Sequence, residues 1–349
     1  MTGLRRWLFA CIVAVFVTVM VGGITRLTES GLSITEWKPV SGVLPPRTEA
    51  AWDAAYQEFL RIPQAQTVHR GITMGGFKLI YWWEWFHRLL ARGVGLVFAI
   101  PYLVLLALRR IPPHLRVRLS ALPLLTLAQG ALGWYMVQSG LAVRSNVSAY
   151  RLTAHLALAL CILAVAVWTW AEHEPRDDQR DGERPEVARP ETERASRRWR
   201  WTLAGTTGLV AVTLLSGGFV AGLRAGRIFN TFPLMGGTFV PPGYAELVPW
   251  WANAFENPAA AQFHHRVLAM LTATVALILA WRASRPSHDG LPERTARAVR
   301  WFGAVAVLQL TLGIVMLLFA VPVALGVLHQ FTGVFALTVA LVATERAWK

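Results

Sequence analysis

Apolar residues gather into eight long stretches, at about 7–24, 79–108, 119–139, 150–171, 199–223, 261–281, 299–320 and 323–343. Runs of about 18 residues or more can carry a helix across the hydrocarbon of a bilayer, so the pattern predicts eight transmembrane helices. The second run is the least uniform, because Glu84, His87, Arg88 and Arg92 fall in its first half. Between the fourth and fifth runs the pattern breaks. Residues 172–198, EHEPRDDQRDGERPEVARPETERASRR, are charged and nearly free of apolar side chains. Such a segment buries too little to fold on its own and reads as a flexible linker. The expected architecture is therefore an all-α membrane protein in two halves, 1–171 and 199–349, joined by 172–198.

The halves repeat each other. GGITRLTESGLSITEWKPVSGVLPP (22–46) follows the first span and GGFVAGLRAGRIFNTFPLMGGTFVPP (217–242) follows the fifth. Gly22-Gly23 match Gly217-Gly218, Gly31 matches Gly226, and Pro45-Pro46 match Pro241-Pro242. FHRLLA (86–91) in the second span matches HHRVLA (264–269) in the sixth, and Gln129, Gly133 and Met136 match Gln309, Gly313 and Met316. The repeat predicts two tandem, pseudo-symmetric four-helix bundles of one orientation, a kind of internal duplication familiar in membrane folds. The glycine pairs are expected to end the first and fifth helices, since glycine suits a helix C-terminus. The long loops at 25–78 and 224–260 carry amphipathic stretches such as AAWDAAYQEFLRI, expected to cap the bundle.

Composition agrees with this reading: 54% of residues are hydrophobic and 15% charged. The net charge of +14 does not point to nucleic acid, because the arginines cluster beside the spans. Arg5 and Arg6 precede the first, Arg109, Arg110, Arg116 and Arg118 separate the second and third, and Arg282, Arg285, Arg294, Arg297 and Arg300 separate the sixth and seventh. The positive-inside rule then places both termini and the linker in the cytoplasm. The first apolar run is long and lacks an A-x-A-type site, so it reads as an uncleaved span rather than a signal peptide. Cys11 and Cys161 lie inside spans and read as small packing residues.

Four of the nine histidines, His69, His114, His173 and His288, fall in loops and read as solvated. His87, His155, His265 and His329 lie in the first turns of spans two, four, six and eight, all expected at one depth near the outer face. Ionisable residues in a membrane are costly and point to function. Their duplication, one pair per half, outweighs the reading in which each merely bonds a neighbouring helix. Facing residues in a four-helix bundle are where such folds hold cofactors. Zinc or copper is one candidate, but zinc takes four ligands or three plus water. Two histidines per half without cysteine suit the axial positions of heme iron better. His264, beside His265, points elsewhere on the helix and reads as a non-ligand. Arg88 and Arg266 follow the ligand candidates and could fork onto heme propionates or snorkel to lipid headgroups. Glu84 lies one turn before His87, whereas Gln262 holds the corresponding place before His265. A carboxylate in one half only fits a proton-handling role there, against the plainer reading of an ion pair with Arg88.

GGITRLTESGLSITEWKPVSGVLPP, EWFHRLLARGVGL and the repeated HHRVLA resemble the heme A synthase family, in the branch shared by alphaproteobacteria and mitochondria. The likeness runs along nearly the whole chain except the linker. It implies oxidation of the C8 methyl of heme O to the formyl group of heme A, through two successive hydroxylations and loss of water. It also implies heme b held by His265 and His329, the substrate heme held by His87 and His155, and Glu84 as the catalytic group. The cysteine pair that another branch carries in its first outer loop is absent. Implied partners are heme O as substrate, heme O synthase as its donor and an unidentified electron-transfer partner. The implied place is the bacterial inner membrane, and a homo-oligomer is compatible with the spans. Competing readings are a diheme b-type cytochrome for electron transfer and a heme transporter.

Overall fold

The computed structural model describes residues 2–38, 41–141, 146–174, 190–285 and 291–349. It contains eight long helices: α1 (Thr2–Leu27), α2 (Met74–Ala107), α3 (Arg116–Leu141), α4 (Ala149–Glu172), α5 (Pro190–Gly222), α6 (Pro258–Arg282), α7 (Glu293–Leu318) and α8 (Val323–Trp348). Seven are long and apolar enough to cross a membrane. The exception is α3, which has the length but is diluted by Thr126, Gln129, Gln138, Ser139 and three glycines. The protein is an all-α, multi-pass membrane protein.

Neighbouring helices pack in chain order, and further contacts join α1 to α4, α5 to α8, and the two halves to each other through α1, α4, α5 and α8. One apolar core runs through both halves, with Leu8 and Leu163 from the first beside Val210 and Leu337 from the second. Helix α5 begins at Pro190, inside the segment expected to be a flexible linker. Residues 175–189 of that segment, and His288, lie outside the described residues. Near the linker, Glu174 accepts from Arg346 at 2.8 Å and lies 3.8 Å from Arg5, tying the ends of α1, α4 and α8 together.

The glycine pairs do not end their helices. α1 continues past Gly22-Gly23 to Leu27, and α5 past Gly217-Gly218 to Gly222. The glycines serve close approach instead, as small residues do between packed membrane helices. A β-carbon on Gly23 would run into Gln330 Oε1 of α8, and one on Gly218 would lie 3.0 Å from Thr153 Oγ1 of α4. The second glycine of each pair thus admits a helix of the opposite half. Gln330 also donates to the Val19 carbonyl of α1 at 3.0 Å. At the same end, Glu29 joins Arg26 of α1 at 2.9 Å to Arg224, just beyond α5, at 2.8 Å.

The expected cap is present in the first half. The helix Glu49–Leu60 is N-capped by Thr48 and turns Phe59 onto Phe77 of α2, while Trp52 meets Tyr81 edge-on at 4.9 Å. This cap rests on the N-terminal extension of α2, which starts at Met74 behind the N-cap Thr73. In the second half the corresponding loop holds only short helical turns, the longest being Asn253–Glu256.

Candidate functional site

The four intramembrane histidines gather in pairs because each meets a glycine on a neighbouring helix. A β-carbon on Gly22 of α1 would lie 3.2 Å from Nε2 of His87. On Gly133 of α3 it would lie 3.1 Å from Cε1 of His155, on Gly217 of α5 3.1 Å from Cε1 of His265, and on Gly313 of α7 2.9 Å from Cε1 of His329. Any side chain at these positions would push an imidazole out of place. The first glycine of each pair therefore seats a histidine of its own half, and the second seats the opposite half. His155, His265 and His329 stand in the second or third turn of their helices. His87 is about four turns into α2, deeper than its place in the apolar run suggested, because α2 extends beyond that run to support the cap.

His265 and His329 face each other with ring centroids 6.4 Å apart and planes at 87°. Two metal–nitrogen bonds of about 2 Å on opposite sides of one iron, plus the ring radii, call for about 6 Å. His87 and His155 lie within electrostatic reach of one another. Among the described residues no group of three or more His, Cys, Asp or Glu is placed to hold a metal ion. A two-donor site suits a metal that arrives with its own equatorial ligands, which is what a heme does. All four rings are half-buried, so none is sealed in the core.

The imidazole nitrogens are held differently in the two halves. Ser216 donates to the Thr213 carbonyl at 2.7 Å, so its oxygen is free to accept from His265 Nδ1 at 2.8 Å. That leaves Nε2 of His265 with its lone pair. Val21 occupies the matching place in α1 and has no hydroxyl to offer His87. Ser216 escaped sequence reasoning, although its position directly before a repeated glycine pair was the available signal. On the other helix of each pair, Gln129 Nε2 lies 3.3 Å from His155 Nε2, and Gln309 Nε2 lies 3.3 Å from His329 Nε2.

Glu84 is only 3% exposed and accepts from Arg88 Nε at 2.6 Å. Its ion pair with Arg88 is thus real. The other nitrogens of Arg88 donate to the Ile34 and Glu36 carbonyls, each at 2.9 Å. Arg266 does the same in the second half, donating to the Phe229 and Thr231 carbonyls at 2.7 and 2.8 Å. Both arginines therefore staple the loop after α1 or α5 to the histidine-bearing helix. Gln262 donates to the Phe229 carbonyl at 3.2 Å, but its Oε1 and the Nε of Arg266 are buried without partners. The carboxylate that joins these two positions in the first half is missing there.

His264 bonds the Tyr244 hydroxyl at 2.8 Å and packs edge-on against that ring, on the loop side of α6. His69, expected to be solvated, meets the Glu29 carbonyl at 3.1 Å and lies beside Phe59, because the cap folds over it.

The chain matches the COX15-CtaA family, described as cytochrome oxidase assembly protein, over residues 5–341. It is 42% identical over 347 residues to the heme A synthase of Rhodopseudomonas palustris (strain BisB5), covering 98% of this chain and 90% of the relative. It is 44% identical over 333 residues to the heme A synthase of Rhizobium meliloti (strain 1021), covering 94% and 85%. With the heme A synthase of Nitrosospira multiformis it shares 41% over 339 residues, covering 96% and 90%.

Proposed function

Since this chain belongs to the heme A synthase family of cytochrome oxidase assembly proteins, we propose that its two histidine pairs hold two hemes of different fates. Its activity is that of a heme A synthase, and its substrate is heme O. The eight long helices form two tandem, pseudo-symmetric four-helix bundles that span the membrane, with both termini and the linker in the cytoplasm. His265 and His329 hold heme b, and His87 and His155 receive heme O. The observation that carries this assignment is the close, perpendicular pair His265–His329, with no third His, Cys, Asp or Glu among the described residues placed to complete a metal site.

Heme b, when bound, supplies one-electron redox chemistry. The chain's own residues do the rest. Gly22 and Gly133 let the first pair of rings sit back against α1 and α3, leaving room for the substrate between them. The Arg88 fork holds the loop over that site, while the Glu49–Leu60 cap covers the outer end of α2 and limits water. Glu84, on the same helix face as His87, takes up protons released as the C8 methyl of heme O is oxidised. Each of two successive hydroxylations takes a hydroxyl from water and releases two protons and two electrons, and the resulting geminal diol loses water to give the formyl group. Arg88 fixes the Glu84 carboxylate and keeps it ionised, so that its oxygens stand ready to accept a proton. Propionate contacts of Arg88 and Arg266 require the forks to release loop carbonyls on binding. Heme O synthase is the donor, and a separate redox partner removes electrons.

Pigment extraction from membranes that contain this protein together with heme O synthase tests the reading. Heme A accumulates if it is right. Intact protein accompanied only by heme B and heme O would overturn it.

A further inference from the structure

Two glutamines at equivalent places in the repeat have no part in the mechanism so far. Gln129 on α3 and Gln309 on α7 each lie one turn before the glycine that seats a histidine, Gly133 or Gly313. Each brings its amide nitrogen to 3.3 Å from the Nε2 of that histidine. Gln129 Nε2 also donates to the His155 carbonyl at 3.0 Å, which settles which end of the amide faces the ring. An amide nitrogen can only donate. His155 Nε2 must therefore be the acceptor, with the proton on Nδ1, and the repeat gives His329 the same arrangement with Gln309. In both halves that Nδ1 is buried without a hydrogen-bond partner, and so is the glutamine Oε1. A buried, unpartnered N–H is costly, so this tautomer needs a reason to persist, and the glutamine provides it.

We propose that Gln129 and Gln309 are positioning residues that hold His155 and His329 in the tautomer able to bind iron through Nε2, keeping the lone pair capped until heme arrives. Iron then takes the place of the amide N–H. The proposal rests on the histidine ligands assigned above. Ser216 acts on His265 from the opposite side, by accepting from Nδ1. Both second-half rings are thus preset, whereas in the first half only His155 is.

The test uses the full-length chain, purified from heme-depleted cells, with hemin as the probe. Nitrogen-15 NMR reads the histidine tautomers, and the growth of the low-spin Soret band reads heme capture. Gln309→Met keeps the side-chain length but removes the donor. Gln309→Glu replaces the donor with an acceptor and draws the proton onto Nε2. Capture quickens in the methionine variant, which no longer caps the lone pair, and slows about tenfold in the glutamate variant, whose acceptor holds the proton on Nε2 with one hydrogen bond. His329 shifts from Nδ1–H towards Nε2–H in both, further in the glutamate variant, and the final low-spin spectrum is unchanged. Wild-type capture rates in both variants, or an unaltered tautomer, would overturn the proposal. His329→Ala separates the two levels of the argument. If that variant keeps the low-spin heme, the ligand assignment itself fails. If it loses the heme while the Gln309 variants behave as wild type, only the role of the glutamines fails.

Discussion

The two halves are built on one plan and differ where the chemistry would differ. Each seats two histidines on two glycines, backs one of them with a glutamine, and staples its long loop with an arginine fork. The first half adds a buried carboxylate, Glu84, and an aromatic cap. The second adds a hydroxyl, Ser216, and leaves Gln262 Oε1 and Arg266 Nε unpartnered. A site with both rings preset and Gln262 where the other half has a carboxylate suits a permanent heme. A site with one ring less constrained, a carboxylate on the same helix face and a cover suits a heme that enters, reacts and leaves. Duplicated scaffolds can thus come to differ through a few side chains while their paired histidines stay the same.

The largest test of this contrast removes the carboxylate. Glu84→Gln keeps the shape and a hydrogen-bond partner for Arg88, and heme A formation falls at least about 100-fold, the range of general acid–base catalysis. The b-type spectrum is retained. Heme extraction and reduced-minus-oxidised spectra check both, and normal conversion of heme O would make Glu84 a purely structural partner of Arg88.

Next come the seats. Gly313→Ala places a β-carbon 2.9 Å from His329 Cε1, an overpacking that costs about 1–3 kcal/mol. Heme b content of the purified protein drops about tenfold or more, whereas Gly133→Ala spares heme b and raises KM for heme O. Equal loss of heme b in both variants would mean that the halves do not hold their hemes independently.

The smallest effect comes from exchanging the residue before the glycine pair. Ser216→Val removes the acceptor for His265 Nδ1 and weakens heme b retention about fivefold, as expected for one hydrogen bond. Val21→Ser offers the missing acceptor to His87, so the first half releases heme more slowly and turnover falls. Heme transfer to apomyoglobin measures both rates. Unchanged release from the Val21→Ser protein would show that the contrast between the pairs lies elsewhere.

Much of this was legible along the chain. Long apolar runs mark helices because a membrane forces backbone polar groups to pair within a helix, and seven of the eight expected spans meet that criterion. α3 falls short because polar and small residues, Gln129 and Gly133 beside His155 among them, interrupt its apolar run. The repeat and the intramembrane histidines were visible for the same reason: in an apolar run, a polar side chain stands out.

What the sequence by itself determined is which residues stand in register, since a duplicated order of glycine, histidine, arginine and glutamine survives in one dimension. Only the tertiary structure decided what the register is for. Gly22 and Gly217 looked like helix ends and are seats for imidazoles, because a missing β-carbon matters only when a neighbouring helix comes close. Ser216, ordinary in the chain, became a histidine partner because α5 carries its hydroxyl to α6. Arg88 and Arg266 became loop staples because their carbonyl partners lie far away in sequence. Identity and spacing are properties of the chain, whereas contacts between helices depend on how the helices cross.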